Sequence, residues 1–152
     1  MTTVRDATPD DAAALVELRV VMLEGVGRPP ADVDWLPAAA AELQTQLAAG
    51  SMLGAVAEVD GRIASGGMAR LWRMPPGVDD DGSRGYVFGV ATRPDLRRRG
   101  LGRAVVTHLL DVLDARGIDR IELTASRDGM DLHRSLWFEP SHDPLLPRYR
   151  LT

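Results

Sequence analysis

The stretch Val90-Ala91-Thr92-Arg93-Pro94-Asp95-Leu96-Arg97-Arg98-Arg99-Gly100-Leu101-Gly102-Arg103 decides how the chain reads. Its first residues close a run from Tyr86 to Thr92 that is aromatic and β-branched, with one glycine inside it, and this predicts a strand. Its last residues open a helix predicted over Leu101 to Arg116. There Leu101, Val105, Leu109 and Leu113 form an i+4 stripe, and Gly117 ends the pattern. The loop between them holds Arg93, Arg97, Arg98, Arg99 and Arg103 against the single acid Asp95. A helix N-terminus presents unpaired N–H groups and about half a positive charge. Gly100 and Gly102 remove the Cβ atoms that would hold an anion away from those groups. All of these terms favour a phosphate or pyrophosphate. A Gly-x-Gly alone would read as an ordinary helix start with solvated arginines. Here the strand, the arginines and the glycines coincide. The dinucleotide pattern Gly-x-Gly-x-x-Gly is not met, because Val105 stands at its last position.

Upstream, Thr8-Pro9-Asp10-Asp11 reads as a helix start, with Thr8 as N-cap and acids in the first turn. Leu15, Leu18 and Met22 recur at helical spacing, and Gly25 ends them. An irregular segment over 26–36 leads to a second helix from about Pro37 to Ala49, closed by Gly50. Met52 to Val59 and Arg62 to Arg73 are strands joined by Asp60-Gly61, a strong two-residue hairpin turn. A Pro-, Gly- and Asp-rich loop, 75–85, precedes the central strand. Downstream, Arg120 to Ala125 reads as a strand, Asp128 to Leu136 as a short helix and Arg148 to Leu151 as a last strand. The expected order is βααβββαβαβ, with the first strand ahead of Thr8. That is an α/β chain, one domain over 1–152 without repeats, built as a mixed sheet flanked by helices.

Composition narrows the chemistry. The 152 residues are 45% hydrophobic and 26% charged, enough for one self-standing core. No apolar run approaches the ~20 residues of a membrane helix, and the N-terminus lacks the pattern of a signal peptide, so the expectation is a cytoplasmic protein that engages no membrane. There is no cysteine, which removes disulfides, thiolate zinc sites and a cysteine nucleophile. All 18 basic residues are arginine, so neither a lysine Schiff base nor a Gly-Lys-Ser/Thr phosphate loop is possible. Genomic base composition is the simpler source of that bias. The net charge is −4, yet residues 93–103 sum to +4, leaving −8 for the rest. One compact positive spot on an acidic body suits a small polyanion better than nucleic acid.

Arg97-x-x-Gly100-x-Gly102 resembles the pyrophosphate-binding signature of the GNAT N-acetyltransferases, Arg/Gln-x-x-Gly-x-Gly/Ala. Pro94 falls where those proteins often have proline. Ala125-Ser126-x-x-Gly129-x-x-Leu132-His133-x-x-Leu136-Trp137-Phe138 resembles their closing segment, Ala-Ser-x-x-Gly-x-x-Leu-Tyr-x-x-Leu-Gly-Phe. The element order matches over nearly the whole chain. The resemblance implies a mostly antiparallel sheet with a splayed pair of central strands, acetyl-CoA in the gap as co-substrate, no metal, and transfer of acetyl to a primary amine of a small molecule or peptide. It implies pantetheine bonding along Val90, Ala91 and Thr92, and pyrophosphate held by Arg97, Arg98, Arg99, Gly100, Leu101, Gly102 and Arg103. Ser126 falls where many members carry a cofactor-contacting Asn. A homodimer is suggested by the resemblance alone.

Two departures touch catalysis. His133 stands where the family has the Tyr that protonates the leaving thiolate, and it is the candidate catalytic acid; Asp128 and Asp131 would raise its charge if they approach it, and Arg134 would lower it. Trp137 replaces a Gly and is expected to fill space beside cofactor or core. For a general base the sequence offers Glu24, Asp32, Asp34, Glu58 and Glu122, each of which reads first as a solvated surface carboxylate. Trp35, Leu71, Trp72 and Met74 read as core residues that in this family border the acceptor pocket. The acids of 78–82 read as solvated surface that would attract a cationic acceptor. His108 and His142 read as surface histidines. The alternative to an enzyme is an acyl-CoA-binding module with little turnover, which the altered position 133 favours.

Overall fold

The computed structural model describes residues 1–150, apart from the side chain of Asp128. The elements are β1 (Thr2–Asp6), α1 (Ala12–Gly25), α2 (Leu36–Ala49), β2 (Met52–Val59), β3 (Arg62–Arg73), β4 (Ser83–Thr92), α3 (Leu101–Ala115), β5 (Ile121–Leu123) and α4 (Met130–Ser135). One sheet holds the strands in the order β1-β2-β3-β4-β5. The first four pair antiparallel, and β5 lies parallel to β4.

Asp60 and Gly61 both take positive φ, 51° and 78°, as a two-residue turn whose twist matches its strands requires. Helices press on both faces, and glycines let them close in. A Cβ on Gly66 would stand 2.6 Å from Leu15 of α1, and one on Gly67 would stand 3.1 Å from Val105 of α3. The α3 stripe Leu101, Val105, Leu109, Leu113 is buried against Ala55, Ala57, Ala69 and Val87. Leu15, Val16, Leu43, Val56 and Met68 form the core on the other face.

The sheet parts where β5 leaves β4. Only Gly85, Tyr86 and Val87 find partners on β5. Beyond them β4 runs on to Thr92 with that edge open. A bulge sits at the same place: the β3–β4 register shifts between Gly66 and Met68, and Gly89 takes φ +65°. A bulge bends its strand and sharpens the local twist, which carries β4 away from β5.

Three expectations need correction. β4 begins at Ser83 rather than Tyr86, because Ser83 and Arg84 pair with Arg73 and Trp72 while Arg84 grips Asp80 at 2.6 Å. β5 covers three residues rather than six, since it has a partner on one side only. Residues 148–150 form no strand, and Leu151 lies outside the described residues. Pro140, Pro144 and Pro147 lack the N–H groups that sheet pairing on that edge would use.

Candidate functional site

The parting of β4 and β5 opens a cavity of about 1080 Å³. One wall is β4 from Tyr86 to Thr92, and the facing wall is Leu123 to Ser126 with Leu132 and His133 of α4. The C-terminal half of α1 overhangs the gap, and Arg97, Arg98 and Gly102 close the end nearest α3.

At that end the backbone is shaped by two left-handed residues. Arg98 has φ +62°, and Gly100, the N-cap of α3, has φ +73°. No side chain caps the helix, so its first-turn N–H groups face outward unpaired. A left-handed residue followed by helical ones turns successive N–H groups into a concavity suited to anions. Arg97 holds the loop against the strand end, its Nε donating to the Thr92 carbonyl at 3.2 Å.

Of the residues the sequence assigns to the cofactor, Val90, Ala91, Thr92, Arg97, Arg98, Gly102 and Ser126 line the cavity. Arg99 and Gly100 are exposed beyond it, and the Leu101 side chain is buried in the core, leaving only its backbone at the helix start. Arg103 turns toward α4, where its guanidinium donates to the Ser135 hydroxyl. Ser126 caps the turn into α4, its hydroxyl oxygen accepting the Gly129 N–H at 3.2 Å.

His133 lines the cavity and is 8% exposed. Its Nδ1 is buried and finds no partner among the described residues. Burial pushes its pKa below the ordinary value, so the imidazole is neutral at pH 7. Raised charge from Asp131 is therefore corrected: desolvation is the cause that acts on the ring, while the Asp128 side chain lies outside the described residues. Phe138 N–H donates to the His133 carbonyl at 3.1 Å, and Trp137 N–H to that of Arg134 at 3.1 Å. These two bonds close α4 in a Schellman motif, which demands positive φ at position 137. Trp137 complies at φ +71° and is 93% exposed. The expectation that it fills space beside cofactor or core is thus wrong. The family's Gly at this position answers a backbone need, and the turn throws the indole outward.

No carboxylate lines the cavity among the described residues. Glu58 is held by Arg5 at 2.7 Å, Glu122 lies 3.4 Å from Arg120, and Asp32 accepts the Asp34 N–H at 3.2 Å. Glu24 is exposed at the end of α1. The acids of the 78–82 loop are engaged with their own neighbours: Arg84 holds Asp80 well below the usual carboxylate range, and the hydrogen bonds from Ser83 lower Asp81. Trp35, Leu71, Trp72 and Met74 do not reach the cavity. Trp35 and Leu71 pack on the two cores, and Met74 is exposed. His108 ties α3 to β1, its Nε2 2.7 Å from Asp6. Among the described residues, no three His, Asp or Glu side chains gather as metal ligands, and no helix is long and apolar enough to cross a membrane.

Sequence reasoning missed Arg19, Met22, Tyr86 and Phe88, which all line the cavity. The Tyr86 hydroxyl donates to Thr124 at 2.8 Å, and its ring stacks on Phe88 at 5.7 Å. One signal was present in α1: Val20-Val21-Met22-Leu23 is apolar on every face, so its end covers more than the sheet.

Comparison with known proteins agrees with this geometry. Residues 21–136 match the model of the acetyltransferase (GNAT) family. A mycothiol acetyltransferase of Beutenbergia cavernae is 41% identical over 56 residues, which are 37% of this chain and 18% of that protein. The chain thus matches less than a fifth of that relative's length. A predicted acetyltransferase of Clostridium acetobutylicum, crystallised with acetyl-CoA, superposes with TM-score 0.86 at 23% identity, covering 97% of this chain and 96% of that one. A GCN5-related N-acetyltransferase of Ralstonia eutropha superposes with TM-score 0.82 at 26% identity, covering 97% and 99%.

Proposed function

Because the chain belongs to the acetyltransferase (GNAT) family, we propose that it moves an acetyl group from acetyl-CoA to a primary amine, by direct transfer in a ternary complex. The observation that carries the reading is the parted sheet beside an uncapped helix: β4 past Val87 has an open edge, and the end of that edge meets the unpaired N–H groups of α3. A cavity of about 1080 Å³ has room for a long, thin cofactor and an acceptor together. The residues present fit acetyl-CoA. Val90 to Thr92 would bond pantetheine as an added strand, and Arg97, Arg98 and the backbone through Gly102 would hold the pyrophosphate.

Acetyl-CoA supplies the acyl group as a thioester: a C–N bond forms, the C–S bond breaks, the amine loses a proton and the departing sulfur gains one. His133 is the chain's candidate donor to that sulfur. Its neutral ring donates one N–H hydrogen bond to the developing thiolate and keeps its own proton, while the sulfur takes its proton from the water that receives the amine's. The lack of a carboxylate among the described lining residues supports an amine that enters as the free base and releases its proton to water. No cysteine is available to carry the acyl group, which also favours direct transfer.

The test is thiol release from acetyl-CoA with a panel of amines, beside thermal melting with acetyl-CoA, ATP and NAD. The reading expects thiol release with some amine, and stabilisation by acetyl-CoA alone. Stabilisation without thiol release would instead support an acyl-CoA-binding module. Stabilisation by ATP or NAD and not by acetyl-CoA would remove the reading.

A further inference from the structure

The charged lining of the cavity has one sign. Arg19, Arg97 and Arg98 are cationic, and no described lining residue is a carboxylate. Arg97 and Arg98 belong to the loop before α3. Arg19 belongs to α1, and the helix turns it the other way. A helix rotates about 100° per residue, so Glu17 stands about 160° around the axis from Arg19, and Gly25 about 120°. Glu17 reaches Arg93 at 3.3 Å, and a Cβ on Gly25 would lie 3.7 Å from Arg97. Those two residues therefore mark the side of α1 that faces the arginine loop. Arg19 shares the opposite side with Val26, about 20° away, and Met22 stands midway, about 60° from both Arg19 and Gly25. Arg19 and Val26 both line the cavity, so this side of α1 meets it away from the arginine loop.

Arg19 is exposed and makes no ion pair with any described residue. The acids that could have received a cationic acceptor are occupied elsewhere, Asp80 by Arg84 and Glu58 by Arg5. We propose that Arg19 anchors an anionic group of the acceptor, a carboxylate or a phosphate, so that the preferred substrates are amines that also carry negative charge. This rests on the transferase reading above. A guanidinium offers a planar fork of N–H donors that matches either group in a bidentate pair. A polyamine in the same chamber would meet like charge and no carboxylate. The cationic wall has a second effect: a nearby positive charge disfavours the ammonium form, which helps deliver the amine as a nucleophile where no described side chain serves as base.

The experiment compares matched acceptors with purified full-length protein and with Arg19→Gln and Arg19→Lys. The probes are the standard amino acids against their decarboxylated amines, O-phosphoethanolamine against ethanolamine, and spermidine. The expected result is a preference for the anionic member of a pair. In Arg19→Gln its kcat/KM falls roughly tenfold or more, mainly through KM. Arg19→Lys restores part of the loss, and acetyl-CoA affinity by calorimetry is unchanged in both variants. Whether amino acids or O-phosphoethanolamine show the preference tells carboxylate from phosphate. Three results overturn the inference while leaving the transferase reading intact: parent activity equal or greater on spermidine or the neutral-tailed amines, undiminished activity of Arg19→Gln on the anionic ones, or weakened acetyl-CoA binding in Arg19→Gln. No turnover of any amine by the parent would overturn both.

Discussion

The ring of Phe138 meets the imidazole of His133 edge-on, with centroids 6.1 Å apart and planes at 83°, while the Phe138 N–H closes α4 on the His133 carbonyl. One residue thus fixes both the backbone and the ring of the candidate donor. Gly129 bounds the ring on another side, since a Cβ there would lie 3.2 Å from Nε2.

If His133 donates a hydrogen bond to the departing sulfur, His133→Ala lowers kcat by roughly 10- to 100-fold and leaves acetyl-CoA binding nearly intact, the pattern of an interaction made only in the transition state. His133→Tyr keeps substantial activity, because the phenol O–H donates to the same sulfur. Single-turnover and calorimetric measurements check both. A kcat for the Ala variant within about twofold of the parent would remove His133 from the transition state.

Burial of neutral His133 also makes a statement about stability. Its folded-state pKa lies below the ordinary 6.5, so below that pH the unfolded chain takes up the proton more readily than the folded one. Stability is therefore highest above pH 6.5 and falls as pH drops through 6.5 toward the folded-state value. Denaturant midpoints at pH 7.5 and 5.5 should differ in that direction, and His133→Gln should shrink the difference. An unchanged difference in the variant would assign the acid sensitivity to other groups.

Trp137 holds φ +71° with its indole 93% exposed, so it bears the cost of a left-handed conformation and buries almost nothing in return. Trp137→Gly should raise unfolding stability by about 1 kcal/mol, read from the denaturant midpoint at constant m. A loss of stability would mean that the indole packs on the folded protein after all.

What the sequence made legible was what local rules decide. Asp60-Gly61 fixed the β2–β3 hairpin to the residue, because that turn needs two positive φ values and these two residues accept them. The leucine stripe of α3 and the glycines before it located the start of that helix. Non-local matters were less legible. The length of β5 depends on having a partner on both sides, and the start of β4 depends on Arg84 finding Asp80. Bulk in place of the family's Gly suggested that Trp137 fills space beside cofactor or core, whereas the Schellman closure of α4 set its direction. Arg19 looked like any helix-surface arginine until the parting of β4 and β5 decided which side of α1 meets the cavity.

The central claim is that the phosphates of acetyl-CoA sit on the first turn of α3, and Gly102 tests it with least ambiguity. Its backbone is helical, unlike that of Gly100 at φ +73°, and a Cβ there meets nothing nearer than Thr92 Oγ1 at 3.6 Å, so a larger residue is accommodated by the fold. The measurement is calorimetric titration of acetyl-CoA into the parent and Gly102→Val, with melting curves to establish that both are folded. Val at this position intrudes where the anion must approach the N–H groups, and affinity should fall by roughly tenfold or more, since charge-assisted bonds are at stake. Arg97→Ala should cost less, because the backbone donors remain. Equal affinity of the parent and a folded Gly102→Val would contradict this placement of the phosphates.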